Sequence, residues 1–362
     1  MRIGIDAREL CGQPTGVGRY LGGLLAAWSA DERARRHEFL LYAHREISAR
    51  LDARRFATRA VPGSGGTWWE QVELPAAAAR EHLDAWFSPA YSMPLRLTVP
   101  AVVAIHDLSF VAHPEWFRLR EGARRRLLVT HSARRARAII TISDFSRAEI
   151  VERLGIDTSK IHVIPPGISP QPSSLYPSPQ PSALSPSVLC VGSIFNRRHV
   201  PVLVRAFGAI ARARPDATLD IVGDNRSFPF EDLPRIIASE GLDGRARWHR
   251  FASDERLRDL YSKARAFAFL SEYEGLGLTP LEALAAGVPP MLLDTPVARE
   301  SCGKAALYVP RPDVALVSRG LEQLLFSETT RARVLAAAPD TLERYQWPRA
   351  AAETLRLIEG TV

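Results

Sequence analysis

SEYEGLGLTPLEALAAGVPPMLLD, residues 271 to 294, carries two carboxylates, Glu274 and Glu282, separated by a turn that holds two glycines and a proline. Just upstream, ARAFAFL (264 to 270) is a short apolar run suited to a buried parallel strand, and LEALAAG (281 to 287) has helical composition. Glu274 therefore falls in a strand-to-helix turn and Glu282 on the helix. In a doubly wound sheet, ligands bind beyond the carboxyl ends of the strands, where helix N-termini aim backbone N–H groups at anions. Gly275 and Gly277 let the main chain come close to a ligand, and Thr279-Pro280 suits a helix start. A carboxylate in such a turn can accept hydrogen bonds from two sugar hydroxyls, so this pair can grip two different sugars. In the plainer reading, Glu274 only complements the helix dipole and Glu282 is solvated.

The same alternation of apolar strand and helical run extends outward in both directions. RIGID (2 to 6), EFLLYA (38 to 43), LDAWFS (83 to 88), AVVAIHD (101 to 107), AIITIS (138 to 143) and IHVIPP (161 to 166) read as strands of a parallel sheet. A Pro/Ser-rich stretch, GISPQPSSLYPSPQPSALSPS, then predicts an extended linker over 167 to 187. The pattern restarts with VLCVG (188 to 192), LDIVG (219 to 223), RWHRF (247 to 251), AFAFL (266 to 270), VPPMLLD (288 to 294) and ALYVP (306 to 310). A chain of 362 residues exceeds the usual size of one domain, and 46% hydrophobic residues can fill two cores. The fold class expected is α/β with two Rossmann-like domains, residues 1 to 166 and 188 to 345, followed by an amphipathic helix in 346 to 362.

The stretch 271 to 294 resembles the signature of the retaining glycosyltransferases of family GT4, which have the GT-B fold. The resemblance implies that Glu274 contacts the donor sugar, that the backbone of Gly275, Leu276, Gly277 and Leu278 contacts sugar and diphosphate, and that Glu282 holds the nucleotide ribose. Leu276 stands where the family usually has Phe, which keeps an apolar contact with less ring area. It also implies two domains facing across a hinge, with the helix of 346 to 362 packing back on the N-terminal, acceptor-binding domain.

Further segments resemble the family in the same order. CGQPTGVGRY carries Gly16, Val17 and Gly18 before a helix expected over 19 to 28; Leu21 stands where a dinucleotide fingerprint needs its third glycine. The resemblance makes this a loop whose backbone donors approach the diphosphate, and a mere tight turn is the alternative. His106, in the family's His-Asp pair, falls beside the donor phosphate and reacting sugar. VGSIFNRRHVPVLVRAF (191 to 207) matches a strand-loop-helix in which two cations neutralise the diphosphate, here Arg197 and Arg198. Basic residues at a helix start oppose the dipole, so their placement itself argues for an anion nearby. His199 stands where Asn is frequent. TISDFSRAEI makes Ser143 a helix cap, VIPPGI has Pro166 in place of the family's Asn, and ARESCGKAALYVP makes Glu300 a supporting residue. Recognition of the donor base falls to the backbone near Val222-Gly223 and to Phe251.

The net charge of +7 invites an anionic partner, but 44 of the 47 basic residues are arginine, which can reflect genome composition as much as function. Arg118, Arg120, Arg124, Arg125, Arg126, Arg134, Arg135 and Arg137 crowd a stretch that also holds Trp116, Phe117, Leu127, Leu128 and Val129. This is either a basic face for an anionic membrane or a solvated helix over a buried stripe. No aromatic-basic motif for nucleic acid is present. The three cysteines are scattered without metal-ligand spacing and read as reduced thiols. The opening MRIGIDAREL reads as a strand rather than a signal peptide, so a cytoplasmic protein, peripheral at most on the inner membrane face, is expected.

The function expected is metal-independent, retaining transfer of a hexose from a nucleoside diphosphate sugar, with a lean to GDP-mannose, to a glycan or lipid-linked hydroxyl, without a resident cofactor. Rival readings are a GT-B phosphorylase or nucleotide-sugar epimerase, and a non-catalytic sugar-nucleotide scaffold.

Overall fold

The computed structural model describes residues 1–12, 16–48, 51–168 and 185–362, so most of the linker expected over 167 to 187 lies outside the described residues. Two compact units result, Met1–Gly167 with Tyr345–Val362, and Ile168–Arg344.

The first unit is built on a seven-stranded sheet of β1 (Arg2–Asp6), β2 (Glu38–Ala43), β3 (Phe56–Ala60), β4 (Ala85–Ser88), β5 (Ala101–Ala104), β6 (Ala138–Thr141) and β7 (Ile161–Val163). Its order is β3-β2-β1-β4-β5-β6-β7, and every pairing is parallel. Parallel strands with both faces covered need continuous apolar runs, which is why EFLLYA and AVVA form the interior. The sequence reading missed β3, FATRA. Only Phe56 is buried, the residues after it alternate half-buried with exposed as on an edge strand, and an arginine interrupts any apolar run.

The second unit has six strands: β8 (Ser187–Val191), β9 (Thr218–Val222), β10 (Ala246–His249), β11 (Ala266–Phe269), β12 (Pro290–Leu293) and β13 (Leu307–Val309). They run β10-β9-β8-β11-β12-β13, again all parallel. In each sheet the strand order reverses at one point, between β1 and β4 and between β8 and β11. Such a reversal opens a crevice at the carboxyl edge, where ligands bind in this architecture. Several strands end sooner than their apolar runs suggest; β5 stops at Ala104, which leaves His106 in the following loop.

The helix Trp347–Glu359 belongs to the first unit. Of its buried residues, Ala350, Ala351, Leu355 and Ile358 join the core that also holds Trp28 and Phe39. Trp28 stacks on Phe39 with centroids 5.2 Å apart and donates from Nε1 to the Ala351 carbonyl at 2.9 Å. Small residues let the Trp347 ring settle: a Cβ on Gly23 would lie 2.3 Å from it, and one on Gly167 would meet it just as closely. Gly167 belongs to the VIPPGI segment, so its need for glycine is a packing need. Among the described residues, no helix is long and apolar enough to cross a membrane.

Candidate functional site

The reversal point of the second sheet gathers the residues singled out in its sequence. The loop after β8 leads through Asn196–Arg198 to the helix Val200–Ala213, and the loop after β11 carries Glu274. Arg198 Nε donates to Glu274 Oε1 at 2.8 Å, and its second nitrogen donates to the Ser193 carbonyl at 2.7 Å. Glu274 Oε1 also accepts from the buried Ser271 hydroxyl at 2.7 Å. With side chains 15% and 17% exposed, the pair is held in place while still open to a ligand. The Arg198 guanidinium lies 4.8 Å from the centre of the Phe269 ring, and Arg197 lies 4.2 Å over Phe195. Aromatic faces thus orient both cations without neutralising them.

Glycine is required where two loops touch. Gly223, after β9, has φ +151° and sits so close to Gly192 that a Cβ would lie 2.0 Å from the Gly192 carbonyl oxygen. Gly192, at φ +136°, has the Arg198 guanidinium where its own Cβ would be. Bare backbone therefore seats Arg198.

The turn after β11 ends at Gly277, whose φ of +83° begins the helix Leu278–Ala285. The helix starts earlier than the expected Thr279-Pro280. Gly275 is buried, and Leu276, 3% exposed, packs in a small hollow of about 10 Å³ with Phe269, Pro280 and Leu292. Leu276 is thus a core contact under the turn. Glu282 is half-buried on the helix, with the Tyr261 hydroxyl 3.5 Å from Oε2. Phe251 is exposed after β10, and Glu300 is half-buried on the helix Pro296–Cys302.

His199 acquires a role that its sequence context left open. Its φ of +47° places it in the left-handed region, where Asn is among the favoured non-glycine residues, and its Nε2 meets Glu272 Oε1 at 2.8 Å. The backbone bend at the helix start explains why Asn is frequent in its place.

In the first unit, His106 is buried two residues beyond β5. Its Nε2 donates to the Pro89 carbonyl at 2.7 Å, which fixes the proton on Nε2 and makes Nδ1 the acceptor. Burial lowers its pKa, so the ring is neutral near pH 7. Tyr20 and Tyr91 flank it edge-on at 4.8 and 5.6 Å. Asp107 accepts from the Tyr91 hydroxyl at 2.8 Å and from Ser109 N at 2.8 Å, so it braces the loop. Tyr91 has φ +58°, a strained conformation of the kind that clusters at functional sites. Ser143 caps the helix Asp144–Leu154 by accepting from Ser146 N.

Gly16, Val17 and Gly18 form the first turn of the helix Gly16–Ala30, not a loop before it. The correction has a physical basis: small residues tolerate helical backbone, and the apolar periodicity of YLGGLLAAW continues back through Val17. A helix N-terminus still presents N–H donors that its own turns do not satisfy.

Sequence reasoning missed a buried network after β1. Arg8 meets Asp6 Oδ2 and Glu70 Oε1, each at 2.5 Å, and Ser92 donates to Glu70 at 2.6 Å. Two opposite charges directly after the apolar RIGI were the available signal. Ser271 was missed likewise, although it opens the stretch that decided the fold. Burial pushes the Cys190 and Cys302 thiols up to about 12, which makes both poor nucleophiles. Among the described residues, no group of three or more His, Cys, Asp or Glu could hold a metal ion.

Known proteins match this chain in sequence family and in fold. Residues 180–341 match the model of Glycosyl transferases group 1, and residues 14–172 match that of Glycosyltransferase Family 4. The chain is 27% identical over 288 residues to the O-antigen chain mannosyltransferase B of Escherichia coli, covering 77% of this chain and 75% of that protein. It is 27% identical over 244 residues to a GDP-mannose-dependent alpha-(1-6)-phosphatidylinositol monomannoside mannosyltransferase of Mycolicibacterium smegmatis, covering 62% of this chain and 63% of the relative. The fold is similar to that of Anabaena Alr3699/HepE, solved in complex with UDP and glucose, with a TM-score of 0.72, 17% identity and 99% of each chain covered. The parallel sheets, the turn that carries Glu274 and these matches place the chain in the GT4 family of glycosyltransferases, with the GT-B fold.

Proposed function

We propose that this glycosyltransferase moves a hexose, mannose from GDP-mannose, to a hydroxyl of a glycan or lipid-linked acceptor in the synthesis of a surface polysaccharide or glycolipid, with retention at the anomeric carbon and without a metal ion. The observation that carries the reading is the Arg198–Glu274 pair at the reversal point of the second sheet. The lean to GDP-mannose is supported by relatives whose names specify mannosyl transfer.

Glu274 accepts hydrogen bonds from donor-sugar hydroxyls while Arg198 holds it in position. Arg197, Arg198 and the N–H groups of Gly275 to Leu278 meet the diphosphate, whose negative charge grows as the C1–O bond to it breaks. The acceptor oxygen forms the new bond to C1, and its proton passes to the leaving phosphate oxygen, so no carboxylate base is needed. Glu282 takes the ribose, and the backbone at Gly223 with Phe251 takes the base. The N–H groups of Gly16, Val17 and Gly18 add diphosphate donors, and neutral His106 orients a sugar hydroxyl through Nδ1.

The exposed face of the Arg-rich helix Leu119–Arg135 supports an anionic membrane surface as a partner. Leu119 and Leu127 are 82% and 60% exposed beside the exposed Arg120 and Arg124. That face places apolar side chains among cations, as interfacial helices do.

Thermal shift against GDP, UDP and ADP sugars, followed by product analysis with acceptor extract, tests the function. GDP-mannose is expected to raise the melting temperature most, because binding to the native state stabilises in proportion to affinity. No shift with any nucleotide sugar refutes the reading, and a preference for UDP-glucose refutes the donor. Sedimentation with phosphatidylglycerol vesicles at low salt tests the surface; absence of binding removes it.

A further inference from the structure

A second cavity, of about 540 Å³, lies in the first unit and is lined by Leu97, Ala101, Arg134, Arg135, Arg137 and Lys160 among others. Its walls come from segments that enter β5, β6 and β7: Ala101 opens β5, Arg137 precedes β6, and Lys160 precedes β7. It therefore sits at the amino edge of the sheet. His106 lies at the opposite, carboxyl edge, five residues further along the same strand path. At about 3.3 Å per residue, that separates the two by roughly 17 Å.

Four cations face this space, and among the described residues no aspartate or glutamate lines it. Neutral carbonyls hold two of them in place. Arg135 donates to the Leu97 carbonyl at 3.0 Å, and the Lys160 ammonium donates to the carbonyls of Arg134 at 3.0 Å and Ala133 at 3.3 Å. The Lys160 contacts cap the C-terminal end of the helix Leu119–Arg135, whose dipole offers about half a negative charge. Half a charge does not balance four. Burial, then the like charge of Arg137, lowers the Lys160 pKa, as expected for a cation short of a counter-charge. The size falls within the range of ligand clefts, roughly 300–1,000 Å³, and Leu97 and Ala101 supply an apolar wall.

We propose that this cavity is a second anion site, distinct from the donor site of the second unit, and that it binds a phosphate-bearing ligand through Arg134, Arg135, Arg137 and Lys160. Arginine forks match phosphate oxygens in pairs, and the Lys160 ammonium adds a point charge. A free phosphorylated compound and a lipid headgroup share this chemistry.

The full chain is titrated at low salt with inorganic pyrophosphate in one arm and with phosphatidylglycerol vesicles in the other. Wild type is compared with Arg134→Glu/Arg137→Glu, with the milder Arg137→Gln, with Arg198→Ala as the donor-site control, and with Arg120→Glu/Arg124→Glu as the helix-face control. Arg134 and Arg137 are both exposed, so their variants should melt like wild type without ligand. The proposal expects Arg134→Glu/Arg137→Glu to lose about tenfold or more in apparent affinity in at least one arm and Arg137→Gln to lose less. Arg120→Glu/Arg124→Glu should match wild type with pyrophosphate and Arg198→Ala should match it with vesicles, while Arg198→Ala measures the donor-site share of pyrophosphate binding and Arg120→Glu/Arg124→Glu the helix-face share of vesicle binding. Loss in the pyrophosphate arm marks a free phosphate as ligand, and loss in the vesicle arm alone marks a headgroup. Wild-type binding by Arg134→Glu/Arg137→Glu in both arms, or no binding by wild type in either, overturns it.

Discussion

Arg198 Nε meets Glu274 Oε1 at 2.8 Å, joining the loop after β8 to the loop after β11 at the point where the second sheet reverses its strand order. One side chain thereby fixes the orientation of the other, and neither residue can be removed without disturbing its partner.

Glu274→Ala should lower kcat/KM at least about 100-fold, which corresponds to roughly 2.7 kcal/mol of lost transition-state stabilisation. Arg198→Ala should raise the donor KM about tenfold. Each single variant also leaves a half-buried charge unpaired and should melt earlier. In the double variant, part of the thermal stability should return while activity does not. Wild-type turnover in either single variant contradicts the site.

Lowering the pH should destabilise the fold through His106. Burial lowers its folded-state pKa below the usual value of about 6.5, so the unfolded chain binds the proton more readily. The stability from this group is complete above the unfolded pKa and is lost as pH falls from there through the folded pKa. His37, His44 and His162 are shifted in the same direction and add to the slope. His106→Gln should flatten the dependence of melting temperature on pH below about 6.5; an unchanged slope would show that the histidine is not held neutral.

Arg8→Ala should cost about 3–5 kcal/mol, because it strands the buried carboxylates of Asp6 and Glu70 together. Burial already pushes the Asp6 carboxyl upward against the opposing pull of Arg8. Chemical denaturation of Arg8→Ala beside Arg8→Ala/Glu70→Gln checks this, since removing one stranded charge should restore part of the loss.

Gly223→Ala should destabilise the second unit by about 2 kcal/mol or more, since the added methyl meets the Gly192 carbonyl and the backbone stays at positive φ. Donor binding should fall with it, because Gly192 seats Arg198. A melting curve and a nucleotide titration that both match wild type would show that the two loops can separate without consequence.

The parts of this fold that were legible in the sequence are those carried by continuous apolar runs. AVVA, AIIT and AFAF can only be buried, whereas FATRA, half-exposed at a sheet edge, carries no such signal. Glu274 and Arg198 stood out because glycines and an unfavourable helix dipole surrounded them. Their direct pairing did not, since it depends on which strands become neighbours across 76 residues of chain. The strain at Tyr91 and the network of Arg8 are likewise products of tertiary packing. Gly16 and Gly18 misled because glycine marks a loop by propensity and a helix start by context.

The helix Trp347–Glu359 completes the first unit although the whole second unit precedes it in the chain. During synthesis, the amino-terminal sheet must therefore wait, with the Trp28 indole unmatched and the face around Gly23 uncovered, until the whole second unit has been made. The second unit can collapse on its own in the meantime, as an insert within an unfinished host. A truncation before Tyr345 would accordingly strip a wall from the first core rather than trim a tail, and a chaperone would find its exposed surface there.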